Sequence, residues 1–294
     1  MSGEIKMEVF DIILDEITNS LMTSGIKKGD VVMMHSGVGG IMRALKEITI
    51  PKDQRGSFAC KALYDGMQNV VKHDAGTICV PGFFYEYART GVAFDAKMSV
   101  PDKNLGEFPN YFFKNHMMAR SLSPTVNIMA VGKNATEICC PQSVYGNGLL
   151  SPWAKMHDAN AWIVFWGSSP ETMTFTHHVE LLAGVPHIYS KLYNTTIWDL
   201  EKNQYNGAYN AVRYLDPRFN INYNLSPFIQ DLLNAGVMRS HKWRNVSFFV
   251  CRMPKVQQFL LEHLQKNPYY LLSTPPEFPE GVLPNDGPKS PTSL

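Results

Sequence analysis

Short, densely apolar runs, separated by segments with helical spacing, recur along this chain and constrain its fold more than any other feature. The runs are VVMMHSG, TICVPGF, VNIMAVG, AWIVFWG and VSFFVCR. An apolar run of four to eight residues between turn residues is typical of a buried strand. Helical spacing appears already in the first segment, at Ile5, Val9, Ile12, Ile13, Ile17 and Leu21. This alternation predicts an α/β fold with a central mixed sheet flanked by helices.

The rest of the chain divides into helices, loops and a proline-rich end. Helices are predicted at IMRALKEI, KALYDGMQNVVKH, FPNYFFKNH, PWAKMH, SPFIQDLLNAGV and VQQFLLEHLQ. Residues 85–104 and the segment CPQSVYGNGLLSP are predicted to be loops, and residues 193–223 form a stretch rich in tyrosine and asparagine. With no repeat and no convincing linker, residues 1–272 are predicted to form one domain. Residues 273–294 are predicted to form an arm or a disordered tail.

Composition excludes several classes of function. The 294 residues carry 27 basic and 26 acidic side chains without a basic stripe, which argues against nucleic-acid binding. No apolar run approaches the length of a membrane span, and the start lacks the order of a signal peptide. Five cysteines do not make a disulfide framework. We therefore expect a cytoplasmic protein without nucleic-acid or membrane partners.

One segment, SSPETMTFTHHVELLAG, follows a predicted strand directly and carries two adjacent histidines. Ser169 can cap a helix there, Pro170 suits its first position, and Gly184 can end it. Positions three and four apart share a helix face. The segment therefore predicts a single helix with a polar strip on one face.

That polar strip consists of Thr174, His177 and Glu180, with His178 beside it. A histidine next to a carboxylate is suited to acid–base chemistry near neutral pH. Two other interpretations remain open at this point. One histidine could be a buried core group and the other solvated, or the group could bind zinc. The zinc interpretation is weaker because H-E-x-x-H and C-x-x-C are both absent.

A second candidate is the glycine-rich turn HSGVGG, which runs from His35 to Gly40 between a strand and a helix. Backbone amides in such a turn can hold an anion or an acyl oxygen. The sequence does not complete the dinucleotide-binding pattern or the nucleophile elbow, since Met42 and Met34 occupy required glycine positions. Taken alone, such a segment is more often a simple tight turn.

Several segments together, and in order, resemble the aminoglycoside 3-N-acetyltransferase family of coenzyme A-dependent enzymes. They are MHSGVG, VPGF, GEFPNYF, ARSLSPTVNIMAVG, LLSPWAKMHDANAWIVFWG, TFTHHVE and NAGVMRSHKWRNVSFFVCR. The resemblance spans roughly residues 8 to 270. It implies transfer of a short acyl group from acyl-CoA to an amino sugar within a ternary complex. It implies neither a metal nor a cysteine acyl carrier.

The resemblance also implies roles for individual residues. The family signature falls on Thr174, His177 and Glu180, which makes these the catalytic group and His177 the general base. Coenzyme A contacts are expected from the first-strand loop and from two serines, namely His35, Ser36, Gly37, Val38, Gly39, Ser121 and Ser151. Substrate contacts are expected from Tyr85, Arg89, Ser123, Asn127 and His178.

Departures from the family pattern bear on the acceptor. Ser123 and Asn127 stand where the family usually has a histidine and a serine, and Asn110 stands where it has a glutamate. Aminoglycosides are polycations that an acidic site should attract, and the sequence has no acidic cluster. We therefore expect a nucleotide-linked amino sugar of the dTDP-3-amino-3,6-dideoxyhexose type, with acetyl or 3-hydroxybutyryl as acyl group. The alternative is an aminoglycoside-resistance enzyme.

Two further classes remain in play, and each would be recognised by a simple experiment. A metal-dependent amidase or deacetylase would use both histidines and the glutamate, and would retain stoichiometric metal. A non-catalytic sugar-binding relative would bind ligand without releasing thiol. The sequence also leaves open whether the chain forms a homodimer.

Overall fold

The computed structural model describes residues 2–45, 50–140 and 145–280. Its helices are α1 (Ser2–Thr23), α2 (Val38–Ala44), α3 (Arg55–Val71), α4 (Glu86–Thr90), α5 (Glu107–Asn115), α6 (Ala135–Cys139), α7 (Pro152–Asp158), α8 (Phe175–Ala183), α9 (Ser226–Asn234) and α10 (Met253–Lys266). Its strands are β1 (Val31–Ser36), β2 (Thr77–Pro81), β3 (Phe94–Asp95), β4 (Ala119–Arg120), β5 (Ile128–Gly132), β6 (Trp162–Trp166), β7 (Ile188–Trp198), β8 (Gln204–Arg213), β9 (Met238–Trp243) and β10 (Val246–Arg252).

Seven strands form the principal sheet in the order β4-β5-β2-β1-β6-β10-β9. Strand β1 runs parallel to both β2 and β6, so that Val32 lies opposite Ile78 on one side and Trp162 on the other. The outer strands pair antiparallel. The predicted α/β fold with a mixed central sheet flanked by helices is confirmed.

Both faces of this sheet are covered, which explains why its central strands are apolar throughout. In β1, Val32 and Met34 pack in one core with α1 and α3, whereas Val31 and Met33 pack in the other with α7, α8 and α10. Successive side chains of a strand point to opposite faces. Burial of each large aliphatic side chain contributes about 1.5–3 kcal/mol to the stability of the folded state. The two cores therefore fix the edge of the sheet at which β1, β2 and β6 end.

A second, three-stranded sheet has the order β3-β7-β8. It lies where the sequence predicted no strands: β7 and β8 occupy much of the tyrosine- and asparagine-rich stretch and pair from Ile188 with Arg213 to Trp198 with Gln204. The expected loop at residues 85–104 also contains α4 and β3, and Phe94 pairs with Ile197. Its assignment as loop was therefore too broad, because pairing with β7 orders this segment.

The predicted helix from Ser169 to Gly184 is in fact two helical segments. Ser169 Oγ accepts from the Glu171 amide over 3.2 Å and caps a 3-10 turn, Pro170–Thr172. The chain then leaves helical geometry at Met173, where ψ is 89°. Helix α8 begins at Phe175 and ends at Ala183, and Gly184 after it is left-handed with a φ of 64°. The expected end at Gly184 is confirmed, whereas Ser169 caps the 3-10 turn and not α8, so the predicted continuous helix is wrong.

The other boundaries differ in smaller ways. Helix α2 begins at Val38, before the predicted IMRALKEI, whose residues 46–49 lie outside the described part. The same holds for residues 141–144 of the predicted CPQSVYGNGLLSP loop. None of the helices in the described ranges has both the length and the apolar character that a membrane crossing requires.

The start of the proline-rich segment packs on the rest of the chain. The Ser273 amide donates to Asn222 O over 2.8 Å, and the Glu277 amide donates to Phe219 O over 2.9 Å. The Phe278 ring also meets Phe219. Residues 281–294 of the predicted arm lie outside the described residues. The domain boundary at residue 272 stays a prediction.

Candidate active site

The candidate site lies beyond the carboxyl ends of the parallel strands. Strands β1 and β6 end side by side, where His35 lies opposite Phe165 and Ser36 lies opposite Trp166. Open α/β sheets bind ligands at this edge. The chain leaving β6 leads through the 3-10 turn into α8, so the sheet positions the first turn of α8. Ser168 fixes this connection, because its hydroxyl donates to His35 O over 3.1 Å.

Helix α8 pairs a partly exposed histidine with a buried carboxylate. The Nδ1 atom of His177 lies 2.8 Å from Oε2 of Glu180, one turn further along the helix. The His177 side chain is 41% exposed and the Glu180 side chain 0%. Because the glutamate is buried and the histidine is not, the carboxylate has few rotamers available and holds the ring from beneath.

Two further side chains donate to the same carboxylate. His187 Nε2 lies 3.0 Å from Oε1, and the Tyr223 hydroxyl donates to Oε2 over 3.0 Å. Burial raises the pKa of Glu180, but the hydrogen bonds from His177 and His187 outweigh it and the net pKa is lowered. Glu180 is therefore a buried carboxylate that stays ionised at neutral pH.

An ionised carboxylate can only accept, so the Nδ1 atom of His177 must carry its proton. In the neutral ring, Nε2 is then the unprotonated nitrogen with a free lone pair. His177 and Glu180 both line a cavity of about 600 Å³. The arrangement can accept a proton from a group bound in this cavity. The lining residues are His177, Glu180, Ile188, Ala211, Val212, Arg213, Leu215, Asn222 and Tyr223.

The glycine-rich turn after β1 lies against the end of β6. The Gly37 amide donates to Trp166 O over 2.8 Å, and a Cβ atom at Gly37 would meet Gly167 O at 2.1 Å. Only glycine fits this contact between two backbones. The Ser36 hydroxyl is buried without a hydrogen-bond partner in the structure. Its O–H is therefore a donor that no described protein group accepts.

Comparison with known proteins places the chain in a family. The aminoglycoside 3-N-acetyltransferase family model matches residues 53–265, which is most of the chain. The chain belongs to the aminoglycoside 3-N-acetyltransferase family. Members of the family are coenzyme A-dependent N-acetyltransferases.

Individual relatives agree with this assignment. Aminoglycoside N(3)-acetyltransferase III from Pseudomonas aeruginosa is 25% identical over 183 residues, which is 58% of this chain and 64% of that protein. The chain thus matches slightly less than two thirds of that relative's length. The apoenzyme of aminoglycoside acetyltransferase AAC(3)-IVa has a TM-score of 0.69 at 17% identity, covering 89% of this chain and 92% of its own. AAC-IIIb, solved with CoASH, has the same TM-score and identity, covering 88% and 97%.

The three residues expected to form the catalytic group, Thr174, His177 and Glu180, lie together at the start of α8 and within it. Thr174 is the residue before α8, and its carbonyl accepts from the His177 amide over 3.1 Å. It therefore caps the helix that carries His177 and Glu180 instead of sharing an interior face with them. The Thr174 hydroxyl makes only a long hydrogen bond of 3.5 Å to Thr172 O.

Two other residues of the expected coenzyme A loop, His35 and Val38, are more buried than Ser36. Val38 is buried at the start of α2, and Gly39 follows it. The His35 ring stacks on Phe165 with centroids 4.9 Å apart, and burial lowers its pKa to about 4. The two expected serine contacts, Ser121 and Ser151, are fully buried. The first accepts from the Ile128 amide, the second caps α7, and neither lines the His177 cavity.

Four of the five expected substrate residues are likewise engaged within the protein. Three of them are buried: Ser123 Oγ donates to Asn210, Asn127 accepts from Arg120, and His178 Nδ1 lies 2.6 Å from Asn147 O. Burial lowers the pKa of His178. The fourth, Arg89, pairs with Asp102 at 3.3 Å and lies over the ring of Tyr85.

Tyr85, the fifth, caps α4, and burial raises its pKa to about 12. None of the five lines the His177 cavity. In the described ranges there is also no group of three or more histidine, cysteine or acidic side chains placed to hold a metal ion.

Two residues of the site, His187 and Tyr223, were not assigned a role from the sequence. The histidine lies beyond the end of α8, outside the helical spacing on which the sequence prediction depends. It lies seven residues after Glu180, and the turn at Gly184 brings it back to the carboxylate. Tyr223 is 43 residues from Glu180 in sequence. A local pattern cannot identify a contact of that separation.

Proposed function

We propose that this chain transfers a short acyl group from acyl-CoA to the amino group of a nucleotide-linked amino sugar, with His177 as general base. The observation that carries the proposal is the His177–Glu180 pair at a cavity of about 600 Å³. A side chain with a fixed tautomer and a free nitrogen facing a cavity meets the geometric requirement for a general base.

The reaction needs one proton removed and one bond exchanged. The sugar amine attacks the thioester carbonyl carbon while Nε2 of His177 takes its proton. Collapse of the tetrahedral intermediate breaks the carbon–sulfur bond and releases the thiolate. The proton held by His177 then goes to the thiolate, which leaves an amide and CoASH. Glu180 stabilises the intermediate imidazolium through Nδ1.

The acyl-CoA co-substrate would lie at the end of β1. The unpartnered hydroxyl of Ser36 lies there, and the close contact of Gly37 with Gly167 fixes the backbone beside it. Donors near the thioester would stabilise its developing oxyanion. Ser36 and Thr174 are the hydroxyls we assign to this role. The AAC-IIIb structure bound to CoASH supports coenzyme A as the acyl carrier.

The charge of the cavity supports the choice of acceptor. Glu180 is the one acidic residue among the described side chains that line it, and three hydrogen bonds already engage its carboxylate. The other charged lining residue is Arg213. A polycation would meet little electrostatic attraction in this cavity. The phosphate of a nucleotide-linked acceptor would instead be attracted by Arg213.

An aminoglycoside acceptor is the second candidate, and the relatives favour it. The curated relative is named aminoglycoside N(3)-acetyltransferase III, and structural neighbours were solved with sisomicin and with a gentamicin. The two candidates differ in the acceptor. One assay that offers both acceptors in parallel therefore separates them.

A thiol-release assay tests the proposal. Acetyl-CoA and longer acyl-CoAs are each combined with dTDP-3-amino-3,6-dideoxyhexoses and, in parallel, with gentamicin-type aminoglycosides. Release with the nucleotide sugar alone supports the proposal and identifies the acyl chain. Release with the antibiotic alone replaces it with the second candidate. Stoichiometric metal in the purified protein would instead favour a metal-dependent amidase, and metal-free turnover of acyl-CoA would exclude it.

The base assignment has its own variant. His177→Gln is expected to lower kcat by about 100-fold or more, because the amide cannot take the proton, while coenzyme A binding stays within about twofold. His241→Gln, on edge strand β9, is the control and should leave kcat unchanged. Full activity of His177→Gln would contradict the assignment. Ligand binding without turnover in the wild type would indicate a non-catalytic relative.

A further inference from the structure

Glu180 receives more support than a simple histidine–carboxylate pair needs. Its Oε2 accepts from His177 and Tyr223, and its Oε1 accepts from His187. The Glu180 and His187 side chains are both 0% exposed. The two carboxylate oxygens thus have donors on opposite sides, and only one of these donors, His177, is substantially exposed to solvent.

The His187 side chain makes one hydrogen bond among the described residues, and its acceptor is Glu180. Its ring meets Tyr223 edge-on with centroids 6.0 Å apart and lies 6.1 Å from Tyr269. Its other nitrogen, Nδ1, is buried without a hydrogen-bond partner in the structure. A buried polar side chain is normally satisfied at every position. One hydrogen bond, to Glu180 Oε1, is therefore the polar interaction that accounts for a histidine at this position.

The hydrogen bond to Oε1 has a consequence for His177. A buried carboxylate that lost its donor at Oε1 would be left with an unsatisfied charge, which is costly. It would rotate toward another donor or take up a proton. Either change would move or neutralise Oε2, which is the atom that fixes the His177 tautomer.

We propose that His187 is a positioning residue, which together with the Tyr223 hydroxyl holds Glu180 so that His177 presents Nε2 to the acceptor amine. This inference rests on the proposed function, since it concerns how the base is prepared. It adds residues from two other parts of the chain to the signature on α8. His187 and Tyr223 act through Glu180.

Two substitutions of His187 separate positioning from packing. The side-chain nitrogen of glutamine matches the position of Nε2, and that of asparagine matches Nδ1. His187→Gln therefore keeps a donor toward Oε1, and His187→Asn does not. We expect His187→Asn to lower kcat by about 10- to 100-fold with the KM for acyl-CoA within about twofold, and His187→Gln to retain kcat within about threefold. His241→Gln is again the control.

A second readout does not depend on turnover. The 15N shifts of the two His177 ring nitrogens report which one carries the proton. In the wild type and His187→Gln, the neutral ring should show a protonated Nδ1 and an unprotonated Nε2. In His187→Asn, both tautomers should appear. Tyr223→Phe, which removes one hydroxyl and keeps the ring, should shift the same balance if His187→Asn does not fold.

The outcomes are distinct. A folded His187→Asn variant with wild-type kcat and an unchanged His177 tautomer would overturn the inference. So would equal losses of kcat in His187→Gln and His187→Asn with the tautomer unchanged, which is the mark of a packing role. If no acceptor is turned over by the wild type, the proposed function fails. The tautomer comparison then still decides the role of His187.

Discussion

Two buried ionisable residues illustrate opposite ways to place a titratable group in this core. Glu180 keeps its charge, because the hydrogen bonds from His177 and His187 outweigh the effect of burial on its pKa. His35 has no partner at Nε2, and burial lowers its pKa to about 4. The Glu180 carboxylate can therefore stabilise an imidazolium ion at His177, whereas the His35 ring is held neutral. Each therefore gives the protein a characteristic dependence on pH.

We expect His35 to make folding less favourable as the pH falls below about 6.5. Its folded pKa lies near 4 and its unfolded value near 6.5, so between these values only the unfolded chain takes up the proton. Protonation of the unfolded state stabilises that state, and the contribution grows by about 1.4 kcal/mol per pH unit. Between pH 6.5 and pH 5 the loss is about 2 kcal/mol.

Urea unfolding of the wild type and His35→Leu at pH 7.5 and pH 5 measures this effect. Other histidines titrate in the same window, so the informative quantity is the difference between the two proteins. The free energy of unfolding should fall less in His35→Leu than in the wild type. An identical fall in both would contradict the assignment of a neutral, buried His35.

At the scale of elements, the sequence predicts well wherever one signal is strong and local. The central strands are continuously apolar because both faces are buried, and the sequence predicts them correctly. Strands β7 and β8 were missed because a half-exposed sheet carries tyrosine, asparagine and threonine, and its register depends on pairing between distant residues. The break at Met173 was missed because Pro170 and Ser169 suit a 3-10 turn as well as an α-helix.

The candidate site follows the same division. The pair of His177 and Glu180 has helical spacing and was predicted from the sequence. The donors His187 and Tyr223 depend on how α8 ends and on how residues after β8 return to it. Several serines and histidines of the family pattern are buried, which the spacing of residues along the sequence does not reveal.

Gly184 is the element-scale residue whose substitution is simplest to interpret. Its φ is 64°, and a Cβ atom there would meet nothing within 4 Å. Gly184→Ala should therefore cost only the strain of a left-handed alanine, about 1 to 2 kcal/mol in the free energy of unfolding. The control is Gly39→Ala in α2, where alanine should preserve or raise stability. Urea unfolding measures both, and equal stabilities of the two variants would contradict the prediction.

For the molecule as a whole, the site depends on the two sheets being held together. His177 lies on α8, which follows β6, while Ile188 and Arg213 are paired residues of β7 and β8 in the second sheet. Buried Arg120 provides one link. It donates to Asn127 Oδ1 and to the carbonyl groups of Gly82, Ala96 and Ser99, which lie before and after β3. No carboxylate is among these four acceptors.

We expect Arg120→Met to destabilise the protein by about 3 kcal/mol or more. Methionine fills much of the space, but the carbonyl groups lose their donor inside the core. Burial lowers the pKa of Arg120 to about 9, so the wild-type guanidinium remains charged at neutral pH. Thermal and urea unfolding measure the loss. If Arg120→Met matched the wild type in stability, the link between the sheets would not depend on this residue.

The C-terminal segment offers the last test, because it adjoins the residues that close the cavity. Ser273 bonds to the backbone of Asn222, next to Tyr223, and Glu277 bonds to Phe219. A chain ending at Leu272 should lose about 1 to 3 kcal/mol of stability from these two hydrogen bonds and the contacts of Phe278. Its KM for the acceptor should rise at least about threefold, because Asn222 and Tyr223 line the cavity.

The reference is a chain ending at Glu280, so that the comparison isolates residues 273–280. If the shorter chain matches the reference in unfolding and in KM, these residues do not support the site. If stability falls and KM does not, the segment supports the fold without shaping the cavity.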